Sequence, residues 1–212
     1  NIPTKIHFGK DTISSLSELK AYGSKVLLVY GGGSIKKNGL YDTAMKILKD
    51  AGLTVFELSG VEPNPKIETV RKGVEICKNE GIDMVLAIGG GSTIDCSKVV
   101  AAGAKYDGDA WDLVLDGSKV KAALPIFDVL TLSATGTEMD PFAVISDMSK
   151  NEKWGTGSPY MVPTMSILNP EYTYSVSKKQ TAAGTADMMS HTMENYFSME
   201  NADCQKFMAE GL

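Results

Sequence analysis

Two near-continuous apolar runs, Lys25–Tyr30 and Met84–Ile88, each end in Gly-Gly-Gly-Ser, at residues 31–34 and 89–92. No other feature restricts the fold as strongly. An apolar run of this length with no polar alternation suits a strand buried on both faces, the habit of parallel sheets. A glycine triplet lets the chain turn sharply and lets a ligand approach the backbone amides with no Cβ in the way. Between the runs, Leu40, Ala44, Ile47, Leu48 and Ala51 recur at helical spacing and stop at Gly52. Thr54–Leu58 reads as a strand and Pro63-Asn64-Pro65 as a turn. Ile67, Val70, Val74 and Cys77 mark a second helix ending near Gly81, and a third runs from the second glycine turn to about Ala104. The β-α-β-α-β-α series predicts an α/β fold with a doubly wound parallel sheet.

Past residue 105 the pattern loosens. Ile126–Leu132 reads as a strand feeding Ser133-Ala-Thr-Gly-Thr-Glu138. Phe142–Ser146, the surroundings of Trp154 and Met165–Leu168 read as short strands, with a hairpin among them, and Asn169-Pro170 closes this part. From Ser177 the character changes. Ala182, Ala186, Met189, Met193 and Tyr196 give a helical period, a further helical stretch starts near Ala202, and the chain ends inside it at Leu212. The expected organisation is an α/β domain over residues 1–174 and the beginning of a helical domain over 175–212.

Composition removes several function classes. The net charge is −5 and no basic cluster occurs, so nucleic acid is excluded as the main partner. No run reaches the ~18–20 apolar residues of a membrane span. Arg71 is the sole arginine, so any phosphate must be held by backbone amides, hydroxyls or lysine. Cys77, Cys96 and Cys204 are far apart and suggest neither a zinc ribbon nor a disulfide scaffold. The N-terminus shows no secretory pattern, and a cytoplasmic location is expected. His7 and His191 are the two histidines, too few for a metal site with three histidine ligands inside this chain.

The candidate residues follow from this frame. Gly89, Gly90, Gly91 and Ser92 lead straight into a helix whose N-terminus carries partial positive charge, which suits a pyrophosphate. Gly31, Gly32 and Ser34, with Lys36 and Lys37 beside them, offer a second phosphate-compatible turn. Matching turns at two strand ends point to a nucleotide at the carboxyl edge of the sheet, though neither is the GxGxxG fingerprint. Asp95 is either a helix-dipole acid or a carboxylate facing the ligand. Thr131, Thr135, Thr137, Glu138 and Asp140 either orient a nucleotide or serve as turn residues. Asp187 and His191 stand at i and i+4, so both project from one helical face, as two ligands of a Zn²⁺ or Fe²⁺ ion or as a plain hydrogen-bonded pair. Glu194 lies too far round the helix to close such a set. The methionines 188, 189, 193, 199 and 208 read as packing, and so does Cys96.

Four segments in order, Tyr30–Asp42, Gly89–Asp95, Thr131–Met139 and Thr185–His191, resemble the iron-containing (group III) alcohol dehydrogenases. Within that family they are most similar to the NADPH-dependent butanol dehydrogenase branch. The resemblance covers essentially the whole chain. It implies a dehydroquinate synthase-like architecture, with a nucleotide domain followed by an all-helical domain and a metal, Fe²⁺ or Zn²⁺, in the cleft between them. It implies reversible hydride transfer between NADP(H) and a small primary alcohol or aldehyde, in a homodimer or larger homo-oligomer. By the same resemblance Gly89–Ser92 are the pyrophosphate loop, and Asp95, Thr131, Thr135 and Asp140 are cofactor contacts. Lys153 lies near the ribose, Gly31, Gly32 and Ser34 take the adenosine end, and Asp187 and His191 act in catalysis as the first two metal ligands. NAD-preferring relatives place an acid after the first strand, whereas here glycine, serine and lysines stand there, which favours NADP. Relatives often carry asparagine at the position of Asp140. They also draw two further histidine ligands from beyond the point where this chain ends, so impaired catalysis is expected of these 212 residues alone. His7 is expected to be structural. The alternatives are a non-catalytic NADP-binding module and a glycerol dehydrogenase-like enzyme of the same fold.

Overall fold

A computed structural model describes residues 3–197 and 203–212; Met199 and Ala202, named above, lie outside the described residues. The chain divides into two compact units, residues 1–173 and residues 174–212.

In the first unit, β1 (Lys5–Phe8), β2 (Lys25–Tyr30), β3 (Thr54–Leu58), β4 (Met84–Gly89), β5 (Ile126–Leu130) and β8 (Met165–Leu168) form one sheet in the order β1-β8-β5-β4-β2-β3. Every pairing in it is parallel. A parallel sheet needs crossovers that bury both faces, and the two apolar runs meet that need. Leu27, Val29 and Val85 face a core built with α3 (Ile67–Glu80), α4 (Gly91–Gly103) and α5 (Ala110–Leu115). Val26, Leu28, Tyr30, Met84, Leu86 and Ile88 face the opposite core, built with α1 (Ser34–Lys37), α2 (Leu40–Asp50) and the 3₁₀ segment Thr12–Ala21. Consecutive residues of β2 thus pack against different helices. Each leucine or valine so buried contributes about 1.5–3 kcal/mol, which is why the runs carry no polar alternation.

The short strands resolve into two roles. β6 (Phe142–Asp147) and β7 (Glu152–Gly157) form the expected hairpin, antiparallel and separate from the main sheet, while β8 inserts between β1 and β5. Strand β5 ends at Leu130, two residues earlier than the sequence reading. The Thr131 N–H donates to the Gly89 carbonyl at 2.9 Å, the last bond of the β4–β5 ladder, and stitches the next loop to the glycine turn.

The second unit holds α6 (Lys178–Phe197) and α7 (Asp203–Gly211), joined by a hydrogen bond from the Tyr196 hydroxyl to Glu210 at 3.2 Å. Among the described residues no helix is long and apolar enough to cross a membrane.

Candidate dinucleotide and metal sites

The second glycine turn connects the end of β4 to α4 at the carboxyl edge of the sheet. A Cβ on Gly90 would meet the Leu132 side chain at 3.2 Å, and one on Gly91 would meet Thr135 Oγ1 at 2.8 Å. The 131–135 segment therefore lies directly over the turn, and glycine is what lets the two backbones approach. The free N–H groups in the first turn of α4, a helix of 13 residues, point out at this turn with the positive end of the helix dipole. Ser92 sits half-buried among them. These groups could cradle a diphosphate, and the residues present fit one.

The first glycine turn lies at the end of β2, the neighbour of β4 in the sheet. Gly33 is left-handed at φ 100°, and Ser34 is exposed at the start of α1. Lys36 is not free for a phosphate. Its ammonium stands 4.4 Å from the Tyr41 ring centroid, 5.0 Å from that of Tyr30 and 4.0 Å from Glu57. Glu57 accepts the hydroxyls of Tyr30 at 2.6 Å and Tyr41 at 2.7 Å, and the Tyr30 bond foremost holds its carboxyl below the usual range. Lys37 is exposed beside it. Arg71 is engaged elsewhere, against Asp109 at 3.0 Å, whose carboxylate also caps α5.

One turn into α4, Asp95 faces the overlying loop. Its Oδ1 accepts the Thr137 hydroxyl at 2.7 Å and its Oδ2 accepts the Val144 N–H at 2.9 Å. Burial raises its pKa against the pull of those two donors and of Lys98. Lys98 is fully buried, and sequence reasoning missed it because a lone lysine inside a helix ordinarily points to solvent. Its Nζ shares three protons among four acceptors, Thr137 Oγ1, the Asp140 carbonyl, Asp140 Oδ1 and the Phe142 carbonyl, each at 2.8 Å. Burial lowers its pKa, and hydrogen bonding and charge from Asp140 oppose the shift. Asp140 Oδ1 also accepts the Phe142 N–H at 2.8 Å, so this acid faces a buried cation. Lys153, on β7, donates to Asn64 Oδ1 at 2.7 Å in the turn that follows β3.

Beside this loop a cavity of about 240 Å³ opens at the carboxyl ends of β5, β8 and β1, lined by Phe8, Leu130, Leu168, Pro170 and Glu138 among others. Glu138 is 7% exposed and its Oε2 has no hydrogen-bond partner. Behind it, buried Asp128 accepts the Ser166 hydroxyl at 2.6 Å, and desolvation raises its pKa well above the carboxylate norm. Cys96 is buried, its thiol pushed up to about 12 by desolvation, an inert packed residue as expected. His7 lies on β1 with Nδ1 3.1 Å from the Ser15 hydroxyl and Nε2 3.4 Å from Glu18.

On α6, Asp187 Oδ2 is 3.6 Å from His191 Nε2, and Glu194 Oε2 is 3.6 Å from His191 Nδ1. Neither distance is a good hydrogen bond. An acid and an imidazole at that separation on one face fit two positions of a tetrahedral or octahedral shell. Among the described residues no group of three or more histidine, cysteine, aspartate or glutamate side chains is arranged to hold a metal. The structure thus gathers Gly89–Ser92, Thr131 and Thr135 around one turn, sets Asp95 and Asp140, the latter against Lys98, one to two turns further along α4, places Lys153 against Asn64 instead, and sets Gly31, Gly32 and Ser34 on the adjacent strand end. Asp187 and His191 lie in the other unit.

The family model for iron-containing alcohol dehydrogenases matches residues 3–170. The chain belongs to the iron-containing alcohol dehydrogenase family. It is 60% identical to NADH-dependent butanol dehydrogenase A of Clostridium acetobutylicum over 214 residues, which covers 100% of this chain and 55% of that protein. It is 40% identical to the NADPH-dependent aldehyde reductase YqhD of Escherichia coli, over 99% of this chain and 55% of that one. The crystal structure of NADH-dependent butanol dehydrogenase A from Thermotoga maritima superposes with a TM-score of 0.93 at 46% identity, over 100% of this chain and 54% of that one. The chain therefore spans about half the length of the relatives it matches, 55% of both proteins named above. The parallel six-stranded sheet is the fold of this alcohol dehydrogenase family.

Proposed function

We propose that this chain carries the dinucleotide-binding domain, over residues 1–174, and two metal donors of an alcohol dehydrogenase or aldehyde reductase acting on small primary alcohols and aldehydes of the butanol class. The observation that carries the reading is the glycine cradle at the start of α4, roofed by the 131–135 segment. The Ser92 hydroxyl and the free amides of α4 hold the pyrophosphate. Thr131 and Thr135 orient the nicotinamide side from the roof, with Asp95 and Asp140 at its base, and Lys153 reaches toward the ribose. Gly31, Gly32 and Ser34 take the adenosine end. Asp187 and His191 hold the metal through a carboxylate oxygen and an imidazole nitrogen. When bound, the metal supplies Lewis acidity that favours the alkoxide, and the dinucleotide supplies or accepts the hydride. A homo-oligomer in the cytoplasm is part of the same proposal.

The NADP(H) form is supported by the lack of a carboxylate in the Gly31–Ser34 turn and by exposed Lys37. Against it stand Lys36, already engaged with two tyrosines and Glu57, and the NADH-dependent names of the relatives at 59–60% identity. The proposal is therefore a nicotinamide dinucleotide, with NADP(H) as a form the turn admits. Fluorescence titration with NADPH and with NADH, beside metal analysis and butanal reduction, tests it. Tight binding of either dinucleotide supports the reading, and failure to bind both sinks it.

A further inference from the structure

We propose that Lys98 is a positioning residue for the dinucleotide: with Asp95 it clamps the Thr131–Phe142 segment over the glycine cradle and so holds the cradle's roof in register with the amides of its floor. The inference rests on the dinucleotide reading above. Floor and clamp belong to one rigid element, since α4 supplies both the amides at its N-terminus and the side chains of Asp95 and Lys98 one to two turns on. The other anchors of the roof lie at its start, where the Thr131 N–H donates to the Gly89 carbonyl, and at Glu138, whose carbonyl accepts the Ser166 hydroxyl at 2.7 Å. The roof residues from Ser133 to Thr135 are exposed, and Gly136 is left-handed at φ 73°. A single ammonium with no solvent exposure gathers three roof residues, Thr137, Asp140 and Phe142. The Thr137 hydroxyl accepts from Lys98 and donates to Asp95, so the three side chains form one directed chain of hydrogen bonds.

The charges are compensated by hydrogen bonds. One buried cation faces two acids, Asp140 directly and Asp95 through Thr137, and the Thr137 hydroxyl and the Val144 N–H stabilise the carboxylate that the lysine does not touch. Burying a lysine is costly unless every proton is used. The clamp also gives Asp95 and Asp140 a role toward the cofactor that acts through the roof, since both carboxylates are already engaged.

The test is dinucleotide affinity in Lys98→Met, Thr137→Val and Thr137→Ser, with Val100→Ala as a packing control on the α3-facing side of α4. NADPH binding is read by fluorescence, and adenosine 2′-monophosphate, which lacks the 5′-phosphate, serves as a probe of the adenosine end alone. Loss of the clamp leaves buried polar groups unpaired, so Lys98→Met should weaken NADPH binding by about tenfold or more. Adenosine 2′-monophosphate should bind as in the wild type. Thr137→Val should move the same way by less and Thr137→Ser should restore wild-type affinity, which keeps the inference testable if Lys98→Met does not fold. Val100→Ala should lower thermal stability with no change in the ratio of the two affinities. NADPH affinity within twofold of wild type in both Lys98→Met and Thr137→Val, or an equal shift in Val100→Ala, overturns the clamp. A wild type that binds neither NADPH nor NADH overturns the dinucleotide reading first and the clamp with it.

Discussion

Glycines that look identical in sequence do different work, and substitution separates them. A Cβ on Gly32 meets nothing within 4 Å, whereas one on Gly91 meets Thr135 Oγ1 at 2.8 Å. Gly32→Ala should therefore keep the chain folded, with stability held or raised by up to ~1 kcal/mol through a less flexible unfolded state. Any loss of affinity must then come from the ligand meeting the new methyl group. The expected loss is about tenfold for NADPH, the value of one hydrogen bond kept at a distance. Urea unfolding and fluorescence titration of the same sample check both halves, and unchanged affinity would remove Gly32 from the adenosine end. Gly91→Ala gives no such separation, because its methyl group would push the roof itself.

At the scale of elements, two helices approach closely enough for reciprocal glycines. A Cβ on Gly73 of α3 would lie 2.6 Å from Val100 of α4, and one on Gly103 of α4 would lie 2.6 Å from Val74 of α3. Gly73→Ala would gain ~1 kcal/mol of helix propensity. It would lose about 1–3 kcal/mol to overpacking against Val100 and the Leu58 side chain. The net expectation is destabilisation by about 1 kcal/mol, read as a lower urea midpoint at constant slope; a variant as stable as wild type would show that the helices slide apart at no cost. The same elements show what the sequence could and could not reveal. β2, β4, α2, α3 and α4 were legible because each has a long apolar period and a glycine stop. β1 was not, since four residues on a sheet edge, paired only with β8, need little apolar signal. Six-residue α5 was not, since its start depends on the Asp109 side chain accepting the Trp111 N–H, which is a cap and not a period. The glycine cradle was legible from spacing alone. Lys98 was not, because its burial arises from a loop more than thirty residues further along folding back over α4.

Across the whole molecule, the groups proposed for the two cofactors are drawn from different parts of the chain and different chemistry. The dinucleotide is assigned to amides, hydroxyls, two carboxylates and one lysine, all within residues 1–173, and the metal to an acid and an imidazole within residues 174–212. None of the dinucleotide groups belongs to a cluster that could hold a metal among the described residues. Binding and turnover should therefore part company when metal is removed. In metal-loaded protein, chelation with EDTA should abolish butanal reduction, because the Lewis acid that favours the alkoxide is gone, yet NADPH affinity should stay within about twofold, since neither Asp187 nor His191 is needed to hold a phosphate. His191→Ala should reproduce that split without a chelator: metal content falls, turnover falls with it, and the dinucleotide still titrates. The reverse behaviour, a dinucleotide dissociation constant that rises tenfold or more on chelation and recovers when Fe²⁺ or Zn²⁺ is restored, would mean that the metal itself grips the cofactor, and the division of labour between the two parts of the chain would have to be abandoned.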